Sequence, residues 1–230
     1  MWPGPASSFL MCCTTLPDII KVFIAAVGVR WFADGLRAFD SLHGLVRYIV
    51  FAVVLAPVTS AFVAAVAGAG EGYWFYWRAW CLSEALAFLM LAPAILTWIA
   101  SARTTFKNIS LARCIEACLI GSGLLAISVP VFTWSAAIEG SVPALVYLPL
   151  PFLIWAAVRF GPVGVTTSLL VVAFLSISGA VHGRGPFAAS TSTDNVLSLQ
   201  LFLIMMSLPL MFLAALIEEG RAKTNAFERE

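Results

Sequence analysis

Glu84 is the clearest candidate for chemistry, because it is an ionisable residue inside a strongly apolar segment. It follows the aromatic run Tyr73–Trp80 by four residues. Trp77, Trp80 and Glu84 are spaced i, i+3 and i+7, which places them on one face of a helix. A charge near the centre of a bilayer costs about 2.5–3.5 kcal/mol on insertion scales, so such a carboxylate is a functional candidate. An interfacial aromatic belt is the alternative interpretation of residues 73–77, but it explains Glu84 less well.

Three further polar residues are predicted at a similar depth near the outer face of the membrane. His182 and Arg184 follow one apolar segment, and Gln200 lies near the start of the next. We therefore predict one outward-facing pocket for a signal or ligand, lined by Trp77, Trp80, Glu84, His182, Arg184 and Gln200. The alternative is that Glu84 and Gln200 make only interhelical hydrogen bonds, worth about 0.6 kcal/mol each on average, and that His182 is a solvated loop residue.

Motifs for catalysis or metal binding do not occur in the sequence. It contains no P-loop, no GxSxG and no HExxH. The two histidines, His43 and His182, are predicted on opposite faces of the membrane. The five cysteines form no CxxC pair and are interpreted as small buried hydrophobic residues: Cys12, Cys13, Cys81, Cys114 and Cys118. We therefore expect no catalytic residues, no metal and no cofactor, and the chain is not predicted to be an enzyme.

The composition explains why these few polar residues are informative. The chain of 230 residues is 61% hydrophobic and 11% charged, whereas soluble domains are about 45–50% apolar and about 25% charged. The chain therefore lacks the polar surface of a water-soluble globule, which excludes a soluble enzyme. The net charge of +1 gives no reason to expect nucleic acid as a partner.

We predict an all-α fold, a polytopic transmembrane helical bundle with about seven spanning helices. A span needs about 20 mostly apolar residues, and seven segments reach or approach this length: Leu10–Val29, Leu45–Gly68, Trp80–Ala100, Cys114–Trp134, Ala144–Phe160, Pro162–Val181 and Val196–Ile217. Asp18 and Lys21 can pair at i, i+3 within the first span. The dipeptide Gly161-Pro162 predicts a tight reversal between the fifth and sixth spans. Residues 1–217 would form the membrane domain and residues 218–230 a cytoplasmic tail.

The basic residues predict the orientation, because short cytoplasmic loops carry an excess of Lys and Arg. Ten of the 13 fall on one predicted face: Arg30, Arg37, Arg47, Arg103, Lys107, Arg113, Arg159, Arg221, Lys223 and Arg229. The other face has Arg78 and Arg184, with Glu71, Glu139 and Asp194 beside them. We therefore expect the N-terminus outside and the C-terminus in the cytoplasm. Insertion of the first span from outside would be easier after a preceding helix, so we expect that an N-terminal helix is missing.

Five blocks of the sequence carry a resemblance to a known family. They are Phe39–Leu42, Trp77–Leu86 with Ala92-Pro93, Leu148–Gly161, Gly183–Phe187 followed by Leu199-Gln200, and Ala214–Glu219. In their order and spacing these blocks resemble the membrane-associated sensor domain family, first type (a MASE domain). The similarity covers roughly residues 18–219.

The resemblance implies an integral membrane sensory domain of a bacterial histidine kinase or diguanylate cyclase. Such a domain lies in the cell inner membrane and relays a signal to a cytoplasmic output domain, as in two-component systems. The implied partners are the lipid bilayer, a kinase or cyclase output domain and, with a kinase output, a second copy of the chain. The chain ends without an output domain, so we expect either a fragment or a stand-alone module.

Three expectations compete with or qualify this interpretation. A small transporter or permease would need a midplane site and an internal repeat, and neither is evident. A membrane assembly subunit without a ligand is the third class. Gly220 is expected to interrupt the helix after the last span, because Gly costs about 1 kcal/mol in a helix interior.

Overall fold

The described part of the chain is almost entirely helical. A computed structural model describes residues 5–32, 39–102, 110–134, 145–188 and 192–227, and no strand occurs among them. The α-helices are α1 (Pro5–Phe32), α2 (Leu42–Tyr48), α3 (Ala56–Ala64), α4 (Ala69–Ala102), α5 (Leu111–Thr133), α6 (Leu150–Val181) and α7 (Ser192–Phe227). A π-helical stretch, Ile49–Leu55, joins α2 to α3, and a 3-10 turn, Ala65–Gly68, follows α3. The predicted all-α class is confirmed.

Five helical stretches among the described residues are long and apolar enough to cross a membrane: Leu42–Ala64, Gly72–Ser101, Leu111–Thr133, Leu150–Val181 and Asn195–Thr224. They support a multi-pass membrane protein, but the predicted number of seven spans is not confirmed. The predicted first span lies within α1, which is not one of the five. The predicted sixth span and the predicted fifth span from Leu150 onward fall in α6. Residues 145–149 of the fifth precede α6, and Ala144, where it begins, lies outside the described residues.

Gly161 interrupts α6 with φ 61° and ψ −146°, a conformation that few residues other than glycine adopt. A Cβ atom placed on Gly164 would lie 2.8 Å from the carbonyl oxygen of Ala156, eight residues earlier. Residues eight apart in a straight helix are separated by about 12 Å, so the chain turns back at Gly161. This agrees with the reversal expected at Gly161-Pro162. The arm before it, residues 150–160, is about 16 Å long, roughly half of a bilayer core.

The chain divides into two compact units, Met1–Ala38 with His43–Leu89, and Phe39–Leu42 with Met90–Glu230. In the first unit, the core is built from small and aliphatic residues of α2, the π-helical stretch and α3, among them Leu45, Ala52, Ala56 and Ala61. The hydroxyl of Tyr48 in this core donates a hydrogen bond to the carbonyl oxygen of Phe88.

The second unit packs α5, α6, α7 and the end of α4 around buried apolar side chains, among them Leu124, Leu153, Leu169 and Leu203. Two polar contacts cross between α4 and α6, one buried and one exposed. The Thr97 and Thr166 hydroxyls are 3.2 Å apart, and the indole N–H of Trp98 donates to the Thr167 hydroxyl at 2.8 Å. Interhelical hydrogen bonds of this kind hold membrane helices together where no hydrophobic driving force acts between them.

Three of the five thiols are described, and they differ from the expectation of burial, whereas the side chains of Cys12 and Cys13 lie outside the described part of the chain. Cys114 and Cys118 are exposed on α5, and Cys81 is half-buried. Cys114 and Cys118 are a turn apart, so they share an exposed face of α5. The expectation of burial is therefore wrong for these two residues.

Of the residues used to predict the orientation, five lie outside the described residues: Arg37, Arg103, Lys107, Glu139 and Arg229.

Candidate functional site

Lys21 on α1 connects two carboxylates in the first unit. Its Nζ atom lies 2.7 Å from Oδ1 of Asp18 and 2.7 Å from Oε1 of Glu84 on α4. The Lys21 and Glu84 side chains are 15% and 20% exposed, whereas Asp18 is 57% exposed. One ammonium between two carboxylates gives this ion triad (Asp18, Lys21, Glu84) a formal charge of −1. The pairing of Asp18 with Lys21 is confirmed.

The contact between Lys21 and Glu84 was not predicted from the sequence, although a signal for it exists. Glu84 is the only Asp, Glu, Lys or Arg in the predicted third span, and Lys21 is the only basic residue in the predicted first. Charged residues within a membrane usually pair with each other. A search for complementary charges between predicted spans would therefore have found this pair.

The aromatic run before Glu84 divides into exposed and inward-facing residues. Trp74, Phe75 and Tyr76 are exposed, Trp74 to 65%, as expected of a belt at the membrane interface. Trp77 and Trp80 are half-buried, and both indole Nε1 atoms are buried without a hydrogen-bond partner among the described residues. The belt interpretation therefore fits Trp74 to Tyr76 but not the two tryptophans that share a face with Glu84.

Neighbouring aromatic groups fix the position of Trp77. Its ring centroid lies 5.5 Å from that of Phe62 on α3 and 6.1 Å from that of Trp74. The Tyr73 hydroxyl donates to the carbonyl oxygen of Phe62 at 2.9 Å. These contacts hold the first turns of α4 against the end of α3, which orients the face that carries Trp77, Trp80 and Glu84.

In the second unit, His182 and Arg184 belong to the C-terminal cap of α6. Gly183 has φ 67°, and its N–H donates to the carbonyl oxygen of Ala180 at 3.1 Å. The N–H of Arg184 donates to the carbonyl oxygen of Gly179 at 2.8 Å. This is the Schellman pattern, in which a left-handed glycine ends the helix. Both the His182 and Arg184 side chains are exposed, and Nδ1 of His182 lies 2.7 Å from the Ser178 carbonyl oxygen.

The segment after this cap packs against the end of α5. The N–H of Gly185 donates to the carbonyl oxygen of Trp134 at 3.2 Å. The ring of Phe187 stacks on Phe132 with 6.4 Å between centroids, and Phe202 on α7 lies 5.3 Å from Phe187. Sequence reasoning missed this aromatic cluster (Phe132, Phe187, Phe202), which gives the Gly183–Phe187 block a structural role.

The six residues of the predicted pocket fall in different units. Trp77, Trp80 and Glu84 belong to the first unit and lie on one face of α4, as their spacing predicts. In the second unit His182 and Arg184 are exposed, whereas Gln200 on α7 is buried at 8% exposure. The convergence of all six on one pocket stays a prediction.

At the other end of the second unit, residues of α7 beyond the predicted last span make long-range contacts. Oε2 of Glu219 accepts a hydrogen bond from the backbone N–H of Leu42 at 3.0 Å. The Arg221 guanidinium donates to the carbonyl oxygen of Val158 at 2.5 Å. A Cβ atom on Gly161 would lie 3.1 Å from Oε2 of Glu218. These exit contacts (Glu218, Glu219, Arg221) tie α7 to the α6 reversal and to the start of α2.

An ion pair at the same reversal joins α6 to α5, since Nε of Arg159 donates to Oε2 of Glu116 at 2.6 Å. The reversal of α6, the first turns of α5 and the end of α7 therefore meet at one end of the second unit. The aromatic cluster and the α6 cap lie at the opposite end. Sequence reasoning used Arg159 and Arg221 as topology markers and missed their contacts, which join residues far apart in the chain.

Apolar helices of this length define a multi-pass helical membrane protein. Residues 2–221 match the MASE1 family model, so the chain belongs to the MASE1 family, whose members are membrane sensory domains. The resemblance noted in the sequence is thereby confirmed. The family is one of sensory input domains, not of catalytic domains. No curated protein and no solved structure matches the chain.

Proposed function

We propose that this chain is the membrane input domain of a bacterial signal-transduction protein of the histidine kinase or diguanylate cyclase type. It would lie in the inner membrane and relay a signal to a cytoplasmic output domain, acting as a homodimer where the output is a kinase. The family assignment and the apolar helices support this proposal. The signal would bind near Trp77, Trp80 and Glu84 in the first unit, or near His182, Arg184 and Gln200 in the second.

The observation that carries the proposal is the set of exit contacts on α7. A relay needs an element with two arrangements that differ in their affinity for the signal. Glu219 accepts a hydrogen bond from the N–H of Leu42, and Arg221 donates one to the carbonyl oxygen of Val158. A movement of Leu42 or Val158 would therefore displace the end of α7. The end of α7 is therefore suited to report changes in the packing of the other helices.

The continuity of α7 also favours a relay. Gly220 was expected to interrupt this helix, but α7 continues through it to Phe227, so that expectation is wrong. The Thr224 hydroxyl donates to the carbonyl oxygen of Gly220 at 3.1 Å, and Lys223 pairs with Glu219 at 2.8 Å. The Lys223–Glu219 ion pair adds a few tenths of a kcal/mol to the helix, which helps to offset the glycine.

The proposed orientation places the end of α7 in the cytoplasm. Basic residues of the second unit support it, because Arg113 opens α5, Arg159 lies at the α6 reversal and Arg221 lies on α7. These three meet at one end of that unit, as an excess of positive charge in cytoplasmic loops requires. Alkaline phosphatase and fluorescent-protein fusions after residue 227 test this orientation.

A fusion of residues 1–230 to a diguanylate cyclase tests the relay. We expect Arg221→Ala to change the basal cyclic di-GMP output several-fold at equal membrane abundance. Thr224→Ala is the matched control, because Thr224 is exposed and its hydroxyl donates to Gly220 within the same helix. Equal outputs from the parent and both variants would contradict a relay through α7.

The ion triad favours transport as a second candidate function. Ionisable residues within membrane helices often mark ion or substrate pathways, and Lys21 and Glu84 are such residues. Proteoliposomes loaded with candidate solutes test this alternative. Uptake that is lost in Glu84→Gln, but not in Arg221→Ala, would establish the transporter and overturn the input domain.

A further inference from the structure

We propose that the Trp77–Trp80–Glu84 face of α4 binds the carbonyl group of a neutral, membrane-soluble ligand. The two indole N–H groups would donate to the carbonyl oxygen, and the aromatic rings would contact the ligand body. The inference names the ligand class of the input domain and in that respect rests on the proposed function.

The first argument is that the two donors are unsatisfied. The Nε1 atoms of Trp77 and Trp80 are buried and have no hydrogen-bond partner among the described residues. A buried N–H without an acceptor costs free energy, so native proteins almost always pair it with protein, water or ligand. An indole N–H can only donate, so the missing partner must be an acceptor.

The second argument is the position of the donors relative to each other. Trp77 and Trp80 are three residues apart on one helix, and residues at this spacing are neighbours on the helix surface. A carbonyl oxygen has two lone pairs and can accept from both. The rings of Phe62 and Trp74 beside Trp77 extend this surface with apolar, aromatic area.

The third argument concerns charge. Glu84 follows Trp80 by one helical turn, and the ion triad to which it belongs has a formal charge of −1. An anionic acceptor such as a carboxylate or phosphate would be repelled there, more strongly than in water because the surrounding dielectric is low. A neutral carbonyl satisfies the donors without this repulsion.

Two sources could supply such a carbonyl, an ester group of a glycerolipid and a diffusible molecule such as a quinone. Both reach the face through the bilayer. Both sources offer a neutral carbonyl oxygen as the acceptor. The lipid ester is always present in the bilayer, whereas the amount of a diffusible molecule varies with conditions. The experiment separates them by using a lipid without ester groups.

The test uses the full chain with ¹⁵N-labelled tryptophan in nanodiscs, observed by NMR at the indole N–H resonances. The Trp77 and Trp80 resonances are assigned by their loss in Trp77→Phe and Trp80→Phe, which remove the donor and keep an aromatic ring. In ether-linked lipids, we expect decylubiquinone to shift both resonances saturably. In ester-linked lipids without the probe, the same shift identifies the lipid as the source.

The variants give the quantitative expectation. Because a single hydrogen bond has a modest net value, each Trp→Phe change should weaken probe binding about three- to tenfold. Trp134→Phe is the matched control, because Trp134 is 70% exposed and belongs to the second unit. It should bind the probe as tightly as the parent.

Three results would overturn the proposal. They are unshifted Trp77 and Trp80 resonances in both lipids, equal or stronger shifts with decanoate than with decylubiquinone, and full probe affinity in both Trp→Phe variants. Failure of the proposed function looks different. Binding that leaves the output of the cyclase fusion unchanged would keep the site and contradict the sensory relay.

Discussion

Glu219 on α7 accepts a hydrogen bond from the backbone N–H of Leu42, 177 residues earlier in the chain, at 3.0 Å. Leu42 is the first residue of α2, where the N–H groups of a helix have no partner within the helix. A carboxylate at that position satisfies a donor and interacts favourably with the positive end of the helix dipole. Glu219 on α7 therefore acts as a cap for the first residue of α2.

The first prediction concerns this cap. Glu219→Ala removes the acceptor, and loss of such a cap costs about 1 kcal/mol, which is about a fivefold change in a local opening equilibrium. We expect amide hydrogen exchange at residues 42–46 to accelerate about fivefold. Thr224→Ala is the control, because it removes a hydrogen bond to Gly220 and leaves the Glu219 carboxylate and its Lys223 partner in place. Unchanged exchange in Glu219→Ala would contradict the capping role.

Part of this fold could be predicted from the sequence because it depends on local patterns. Continuous apolar runs predict membrane helices, the spacing of Asp18 and Lys21 predicts their ion pair, and Gly161-Pro162 predicts the reversal. In each case the residues that interact are close in the chain. The number of spans does not follow from such patterns, because the reversal leaves an arm of α6 that is short for a bilayer.

The remaining features depend on tertiary contacts that periodicity does not encode. Lys21 meets Glu84 only because α1 packs near α4, and Glu219 reaches Leu42 only because the end of α7 lies beside the start of α2. The continuation of α7 through Gly220 reflects helical neighbours that outweigh one residue's propensity. The predicted pocket grouped residues by depth alone, and depth does not determine which helices are neighbours.

The second prediction concerns the ion triad. Lys21→Met leaves two carboxylates facing each other, so it should destabilise the fold more than the double variant Lys21→Met/Glu84→Gln does. Contacting charged residues typically show coupling energies of about 0.5–3 kcal/mol, and partial exposure of Lys21 and Glu84 favours the lower half of that range. Unfolding in detergent, measured for both single variants and the double variant, gives the coupling. Additive effects would show that the two residues do not interact.

The third prediction compares two glycines. Gly161→Ala puts a side chain on a residue with φ 61°, close to Glu218, so we expect a loss of about 1–3 kcal/mol. Gly220→Ala meets no atom within 4 Å and lies inside α7, so we expect a gain of about 0.5–1 kcal/mol. Thermal unfolding of both variants should therefore show melting temperatures that move in opposite directions. A shift of the same sign would contradict either the reversal or the continuous helix.

The fourth prediction concerns the α6 cap. Gly179 lies directly against the carbonyl oxygen of Phe132, so Gly179→Ala forces α5 and α6 apart and should cost about 1–3 kcal/mol. Gly121→Ala on α5 is the control, because a methyl group there meets no atom within 4 Å. The comparison uses the melting temperature in detergent. Equal melting temperatures for the two variants would contradict the close packing at Gly179.

The central claim is that this MASE1 domain relays a change at the ion triad (Asp18, Lys21, Glu84) to the end of α7. Epistasis between Glu84 and Arg221 tests it most directly. The cyclic di-GMP output of the cyclase fusion is measured for Glu84→Gln, Arg221→Ala and the double variant at equal membrane abundance. We predict that Glu84→Gln changes the output in the parent and has no further effect once Arg221 is replaced. An unchanged output in Glu84→Gln, or the same change in both backgrounds, would contradict the relay.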